Sequence, residues 1–304
     1  MANHKKKKQN AALSWQHATG KMPYKLTNDY LFRATLQRSN RALKGLICAL
    51  LGLQPEEIQS VVIMNPIELG KHIDAKDFIL DIRVILNNNT MINIEMQVMN
   101  LGNWPERSLG YLCRSFDTLN KGEDYRDTKP VIQVCFLDFT LFEEVPEFYA
   151  NYMFINVKNH YIYSDKLKLS VVDLTQIDIA TEEDKQKGLD QWARLFKATT
   201  WEEIKMLASK NEYLTDAAET AYQLVTEETI RMQCEAREDY YNHQRYIKKK
   251  MAELEQMLAN DAEALAAKDN ELAAKDNELA AKDKELADKD ALIARLQEEL
   301  ATKR

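Results

Sequence analysis

The run from Thr90 to Phe139 constrains the fold more than any other part of the chain. "TMINIEMQV" alternates apolar and polar residues as a strand does, and "PVIQVCFLDF" is nearly continuously apolar, as a strand covered on both faces is. Between them lies "GNWPERSLGYLCRSFDTLNKGED", a helix with start and stop signals: Asn103 as cap, Pro105 in the first turn, Gly122 as the stop. A helix between two apolar strands implies a crossover and at least one parallel pair. The expected buried stripe of this helix is Leu109, Leu112, Phe116 and Leu119, with Arg107, Tyr111 and Arg114 along another face.

Ahead of it, "FILDIRVILNNNTMINIEMQV" (Phe78 to Val98) reads as a hairpin. Strand side chains alternate between faces, so Leu80, Ile82, Val84 and Leu86 share one face and Asp81 and Arg83 the other. Ile92, Ile94, Met96 and Val98 likewise oppose Asn93, Glu95 and Gln97. The Asn87-Asn88-Asn89-Thr90 segment supplies a turn, because Asn tolerates left-handed backbone. A three-residue loop sets Asp81 across from Glu95, and a slip of one residue undoes it.

The rest of the chain extends this α/β pattern. Residues 1–22 form a polar, basic tail whose Lys5 to Lys8 cluster is either solvated or a backbone-phosphate contact. "TNDYLFRATL" predicts a helix capped by Thr27 or Asn28, and "NRALKGLICALLGL" a second ending near Gly52. "IQSVVIM" predicts a strand, and "YMFINV", "HYIYS" and "LKLSVVDL" predict three short ones that extend a mixed sheet. The organisation expected is a core over 23–180, a helical region over 181–250 and a heptad-repeat helix over 251–304. In that last segment Met251, Leu258, Leu265, Leu272, Leu279, Leu286, Ile293 and Leu300 recur every seven residues. The partner seam position holds Leu254, Asp261, Lys268, Lys275, Lys282, Lys289 and Leu296, mostly charged, so weak self-association through a long helix is expected rather than a tight zipper.

Charge at first argues against a nucleic-acid partner, since the chain of 304 residues carries a formal −7. From Met251 onward, however, 14 acidic residues face 8 basic ones, so the globular part is near neutral. With 45% apolar residues the chain can bury a real core. Cys48, Cys113, Cys135 and Cys234 match no zinc or redox spacing and each lies in an apolar pattern, which predicts reduced core thiols in a cytoplasmic protein. No signal peptide and no apolar run near the ~20 residues of a membrane span are visible, so no membrane partner is expected. The five histidines form no ligand-spaced cluster, and no glycine-rich phosphate loop or nucleophile arrangement is present.

Two readings of the hairpin's polar residues remain open on the residues alone. They face water, or Asp81 and Glu95 approach each other around a cation; like-charged neighbours are unfavourable unless a positive charge lies between them. Mg²⁺ typically takes one or two carboxylates plus phosphate oxygens.

"TNDYLF", "ILDIRV", "INIEMQ", "RSLGY", "KGEDYRDTKPVI" and "LDFTLF" occur in the same order as in the Rpn family of recombination-promoting nucleases, the PD-(D/E)XK family transposases. The chain resembles that family over about residues 24–200. The resemblance implies a restriction-endonuclease-like mixed sheet flanked by helices and a Mg²⁺-dependent DNA endonuclease, other divalent cations being alternatives. Position by position, Asp81 and Glu95 match the metal-binding carboxylates, and Gln97 the third catalytic position, normally Lys. Asp29 matches the acidic residue of the first helix, and Arg107 and Tyr111 the supporting helix. Gln donates only a neutral hydrogen bond where Lys brings a charge. Arg83 or Arg107, or less directly Lys76, is then the cation. The rival expectation is a catalytically degenerate DNA-binding or assembly protein organised by the C-terminal helix.

Overall fold

A computed structural model describes residues 14–67, 82–117, 119 and 122–302. Asp81 and Lys76, two residues singled out above, lie outside the described residues, as does the Lys5–Lys8 cluster.

Two helices open the chain, α1 (Asp29–Arg38) and α2 (Asn40–Leu51). The Asn28 side chain caps α1 by accepting from the Leu31 amide, and Ser39 caps α2 in the same way at Ala42. Gly52 ends α2 with a left-handed φ of 67°, which lets the Leu53 amide reach the Cys48 carbonyl. Strand β1 (Val61–Ile63) leads to the hairpin β2 (Ile82–Leu86) and β3 (Thr90–Gln97). Asn87 and Asn88 carry the positive φ values of the turn, 52° and 56°.

Leu86 pairs with Thr90 and Ile82 with Ile94, the register that a three-residue loop dictates. Helix α3 (Trp104–Phe116) then crosses over to β4 (Val131–Leu137), which runs parallel to β3 as the strand–helix–strand pattern required. The sheet is completed by β5 (Tyr149–Ile155) and β6 (Ile162–Asp173) in the order β1-β2-β3-β4-β6-β5, with β4–β6 parallel and β5–β6 antiparallel.

Five sequence expectations need correction. "HYIYS" and "LKLSVVDL" merge into one 12-residue strand, not two; Ile162 to Lys166 run past the end of β4, and Lys166 donates from Nζ to the Arg126 and Thr128 carbonyls. Helix α3 stops at Phe116 instead of near Gly122; an acidic Asp117 opposes the negative end of the helix dipole there. Its buried residues are Trp104, Ser108, Leu112 and Ser115, while Leu109 is exposed, because two serines allow the helix to lie close against the sheet. The Asn103 side chain makes no capping bond. Finally, Cys113 is exposed; Cys135 and Cys234 are buried as expected, and all four thiols are free.

The sheet separates two apolar layers. Ile92, Ile94, Met96, Val134 and Phe136 face the larger one, which also takes in α1 and α2. There Phe32, Phe136 and Phe196 meet with ring centroids 5.2–5.7 Å apart. After the polar helix α4 (Glu182–Gln186), helices α5 (Leu189–Lys197), α6 (Trp201–Ala208) and α7 (Glu212–Thr226) add to this same layer, and it runs on to Cys234. On the opposite face Trp104 of α3 packs with Cys135, Leu137 and Val171.

Helix α8 (Glu228–Thr302) is continuous for 75 residues and passes from one compact unit, ending at Tyr241, into a second, Asn242–Arg304. In the second unit the heptad residues Leu258, Leu265, Leu272, Leu279 and Leu286 are all exposed. Glu271–Lys275, Glu278–Lys282 and Glu285–Lys289 form i,i+4 ion pairs with Glu on the N-terminal side, the more favourable order on a helix. No helix among the described residues is long and apolar enough to cross a membrane.

Candidate active site

Alternation along β3 sends Asn93, Glu95 and Gln97 to the face covered by α3. Two of them do not face water: Asn93 is buried and Glu95 is only 3% exposed, while Gln97 is half-buried. The parallel register sets Asn93 beside Gln133, Glu95 beside Cys135 and Gln97 beside Leu137. A carboxylate so deep in the protein requires compensation.

That compensation comes from α3. One turn into the helix, Arg107 reaches back over β3, and its Nη2 donates to Glu95 Oε1 at 2.8 Å while Nη1 donates to Gln97 Oε1 at 3.4 Å. Gln97 Nε2 donates to the same Glu95 oxygen. Tyr111, at i+4, accepts from Arg107 Nε at 3.1 Å. The guanidinium also lies over the rings of Trp104 and Tyr111, each about 5.3 Å from the centroid. Burial works to lower the Arg107 pKa, but the Glu95 carboxylate and the Tyr111 hydroxyl outweigh it and hold the pKa above its ordinary value. Arg107 therefore stays charged throughout. Four of the residues named from the sequence, Glu95, Gln97, Arg107 and Tyr111, thus form one hydrogen-bonded group.

Arg83 lies on the same face and is partly buried; its Nε donates to Asn93 Oδ1 at 3.4 Å, and Asn93 Nδ2 donates to Gln133 Oε1 at 3.1 Å. It extends the polar row away from Glu95. The same environment raises the Cys135 thiol well above its usual range, first through burial and then through the Glu95 charge.

Asp29 is in a second cluster. Its carboxylate accepts two bonds from Arg237 of α8, one at 2.8 Å from Nε and a shorter one from Nη2, and another from the Tyr241 hydroxyl at 2.7 Å. Arg237 Nη2 also donates to Tyr241 at 2.9 Å, and Asn28 Nδ2 donates to the Cys234 carbonyl at 2.9 Å. Tyr241 is close enough to Arg107 to contribute to its raised pKa, so the two clusters adjoin electrostatically. Arg237 and Tyr241 were missed from sequence. The available signal was that Ile230, Cys234, Arg237 and Tyr241 lie on one helical stripe at i, i+4, i+7 and i+11.

Two further cations were missed. Arg33 of α1 is 1% exposed and donates through Nη2 to the Asn65 carbonyl, while Asn65 Oδ1 accepts from the Arg83 amide at 2.8 Å. Lys197 pairs with Asp138 at 2.5 Å, and the Asp138 amide donates to the Gln97 carbonyl at 2.8 Å, which brings an ammonium to the Glu95 end of the sheet.

The donors around β3 are oxygens of Glu95 and Gln97, the kind that hard divalent cations such as Mg²⁺ prefer. No group of three or more His, Cys, Asp and Glu converges among the described residues. Glu95 is thus the one described carboxylate of this centre, and Asp81, one residue before β2, is the partner named from the sequence. The chain matches the family of PD-(D/E)XK nuclease family transposases over residues 26–278. It belongs to that family, whose nucleases generally use divalent metal ions and imply a DNA substrate. No curated protein and no solved structure matches the chain.

Proposed function

We propose that this chain is a cytoplasmic, Mg²⁺-dependent DNA endonuclease of the recombination-promoting kind. The observation that carries the reading is the contact of the buried Glu95 with Gln97 and Arg107 at the end of a parallel strand, in a chain of a nuclease family.

Glu95 and Asp81 would hold the cation, which when bound lowers the pKa of a coordinated water and offsets phosphate charge. Arg107 fixes the Glu95 carboxylate and places a permanent positive charge beside it, the charge that a Lys at the Gln97 position would otherwise bring. Gln97 bridges the two, donating to Glu95 and accepting from Arg107, so its amide orientation is set. Tyr111 steadies the guanidinium. Arg83 lies one polar pair further along the same face, suited to a more distant phosphate. Asp29 acts one layer away, anchoring the start of α8 beside the site.

Plasmid nicking with and without Mg²⁺ tests the proposal. Glu95→Gln and Asp81→Ala are each expected to abolish cleavage with the fold kept, Glu95→Gln because it removes ligand charge at nearly constant shape. Metal-independent nicking, or full activity in Glu95→Gln, overturns the assignment. DNA binding without cleavage in the unmodified chain would favour the rival, a degenerate core that binds DNA.

A further inference from the structure

The outer part of β5 is exposed and apolar on both faces. From Tyr152 to Ile155 four consecutive apolar side chains of β5 are open to solvent, and Val157 in the turn and Tyr161 and Tyr163 after it are more than 70% exposed. β5 is the last strand of the sheet, and among the described residues its outer edge bonds to nothing. It carries no charged residue and no proline, the usual protections of an edge; a register shift at Met153–Ile155 is its one irregularity. Beside it lies a depression of about 200 Å³ walled by Leu109, Leu112, Tyr152, Phe154, Leu167 and Leu169, which explains why Leu109 turns away from the core.

The tip of the β5–β6 hairpin is distant from Glu95, whereas its root is not: Tyr152 aligns through Leu169 and Gln133 with Asn93. Gln97 aligns with Leu137 and Asp173 at one end of the parallel strands, whereas Met91 aligns with Val131 and Leu167 at the other. Those ends are about 20 Å apart at ~3.3 Å per residue, and the hairpin tip extends further still.

Its charges identify the occupant. Glu143, Glu144 and Glu147 precede β5, and Lys158 and His160 follow it; none of the five is in an ion pair among the described residues. When β5 pairs antiparallel with another β5 about a two-fold axis near Tyr152–Met153, the acidic segment of each copy comes opposite the basic segment of the other. Like strands paired in that way are self-complementary in charge as well as in apolar surface. We propose that a second copy of this chain docks here, β5 to β5, to form a continuous twelve-stranded sheet with Tyr152 and Phe154 of both copies clustered over the two depressions.

The test uses the full-length chain and does not depend on nuclease activity. Tyr152→Cys and Met153→Cys proteins are treated with dilute diamide and compared on non-reducing gels with the unmodified chain and with Met206→Cys, an exposed control on α6. At least one β5 variant should cross-link to a dimer many-fold faster than both controls. In parallel, sedimentation over a concentration series should give Phe154→Lys a dimer dissociation constant at least tenfold weaker. Cross-linking no faster than Met206→Cys, or mass-action behaviour unchanged by Phe154→Lys in a protein with normal circular dichroism, overturns the proposal.

Discussion

Arg107 is the residue on which the nuclease reading depends most. Its guanidinium supplies the positive charge next to Glu95, so Arg107→Gln should reduce Mg²⁺-dependent cleavage by about 10²–10³-fold, the usual cost of one preorganised charged donor. Adding Gln97→Lys to that variant should recover at least tenfold, since the new ammonium extends from the adjoining position on β3. Single-turnover nicking of the single and double variants decides it; no recovery in a folded, metal-binding double variant means that Lys cannot substitute for the guanidinium from that position. A different test concerns Cys234, whose thiol burial pushes up to about 12 from an ordinary 9.0. A raised thiol pKa means that the folded state keeps a proton which the unfolded state releases. Its stabilising contribution is therefore complete below pH 9 and declines as pH rises from 9 towards 12. Denaturant midpoints across that range should fall less steeply in Cys234→Ala than in the parent protein.

At the scale of elements, the glycines of two helices separate packing from propensity. Gly45 in α2 faces Tyr213 of α7, and a Cβ built there would come within 2.3 Å of the Tyr213 Cβ. Gly45→Ala should destabilise the protein by about 1–3 kcal/mol, because two helices must move apart. Gly110 in α3 is exposed, with nothing within 4 Å of the corresponding position, so Gly110→Ala should stabilise by about 0.5–1 kcal/mol through helix propensity. Chemical denaturation of both variants checks the opposite signs. Much of this element scale was legible in advance. The Asn28 cap, the Gly52 stop, the Asn87–Asn88 turn and the parallel crossover are local patterns whose physics acts within a few residues. The stripe of α3 was misread because Leu109 is apolar in sequence but meets a depression on the hairpin side, a neighbour that periodicity does not contain.

For the whole molecule, the buried residues of α8 end at Arg237, and every described side chain whose exposure is given from Lys248 onward is open to solvent. Deleting residues 251–304 should therefore shift the melting temperature of the remainder by no more than a few degrees and leave metal-dependent nicking in place. Its effect should be on association: the half-apolar seam predicts weak pairing of long helices, lost on truncation, and sedimentation of both forms reads it. A collapse of the truncated protein would mean that the tail stabilises the core.

Alternation, capping and the heptad period determined most strands, most helix starts, the polar face of β3 and the exposed repeat of the tail, since each is written in spacings of two to seven residues. The residues of the proposed nuclease centre were named from the order of motifs, and that Glu95, Gln97, Arg107 and Tyr111 form one hydrogen-bonded group was decided only by the fold. Whether Glu95 faced water or was buried depended on α3 covering that face of the sheet, and its counter-charge depended on Arg107 reaching 12 positions back along the chain. The Asp29–Arg237 pair spans 208 positions. A surface arginine and a buried one have the same sequence signature; burial is a property of what packs against them, and only tertiary structure brings those partners together.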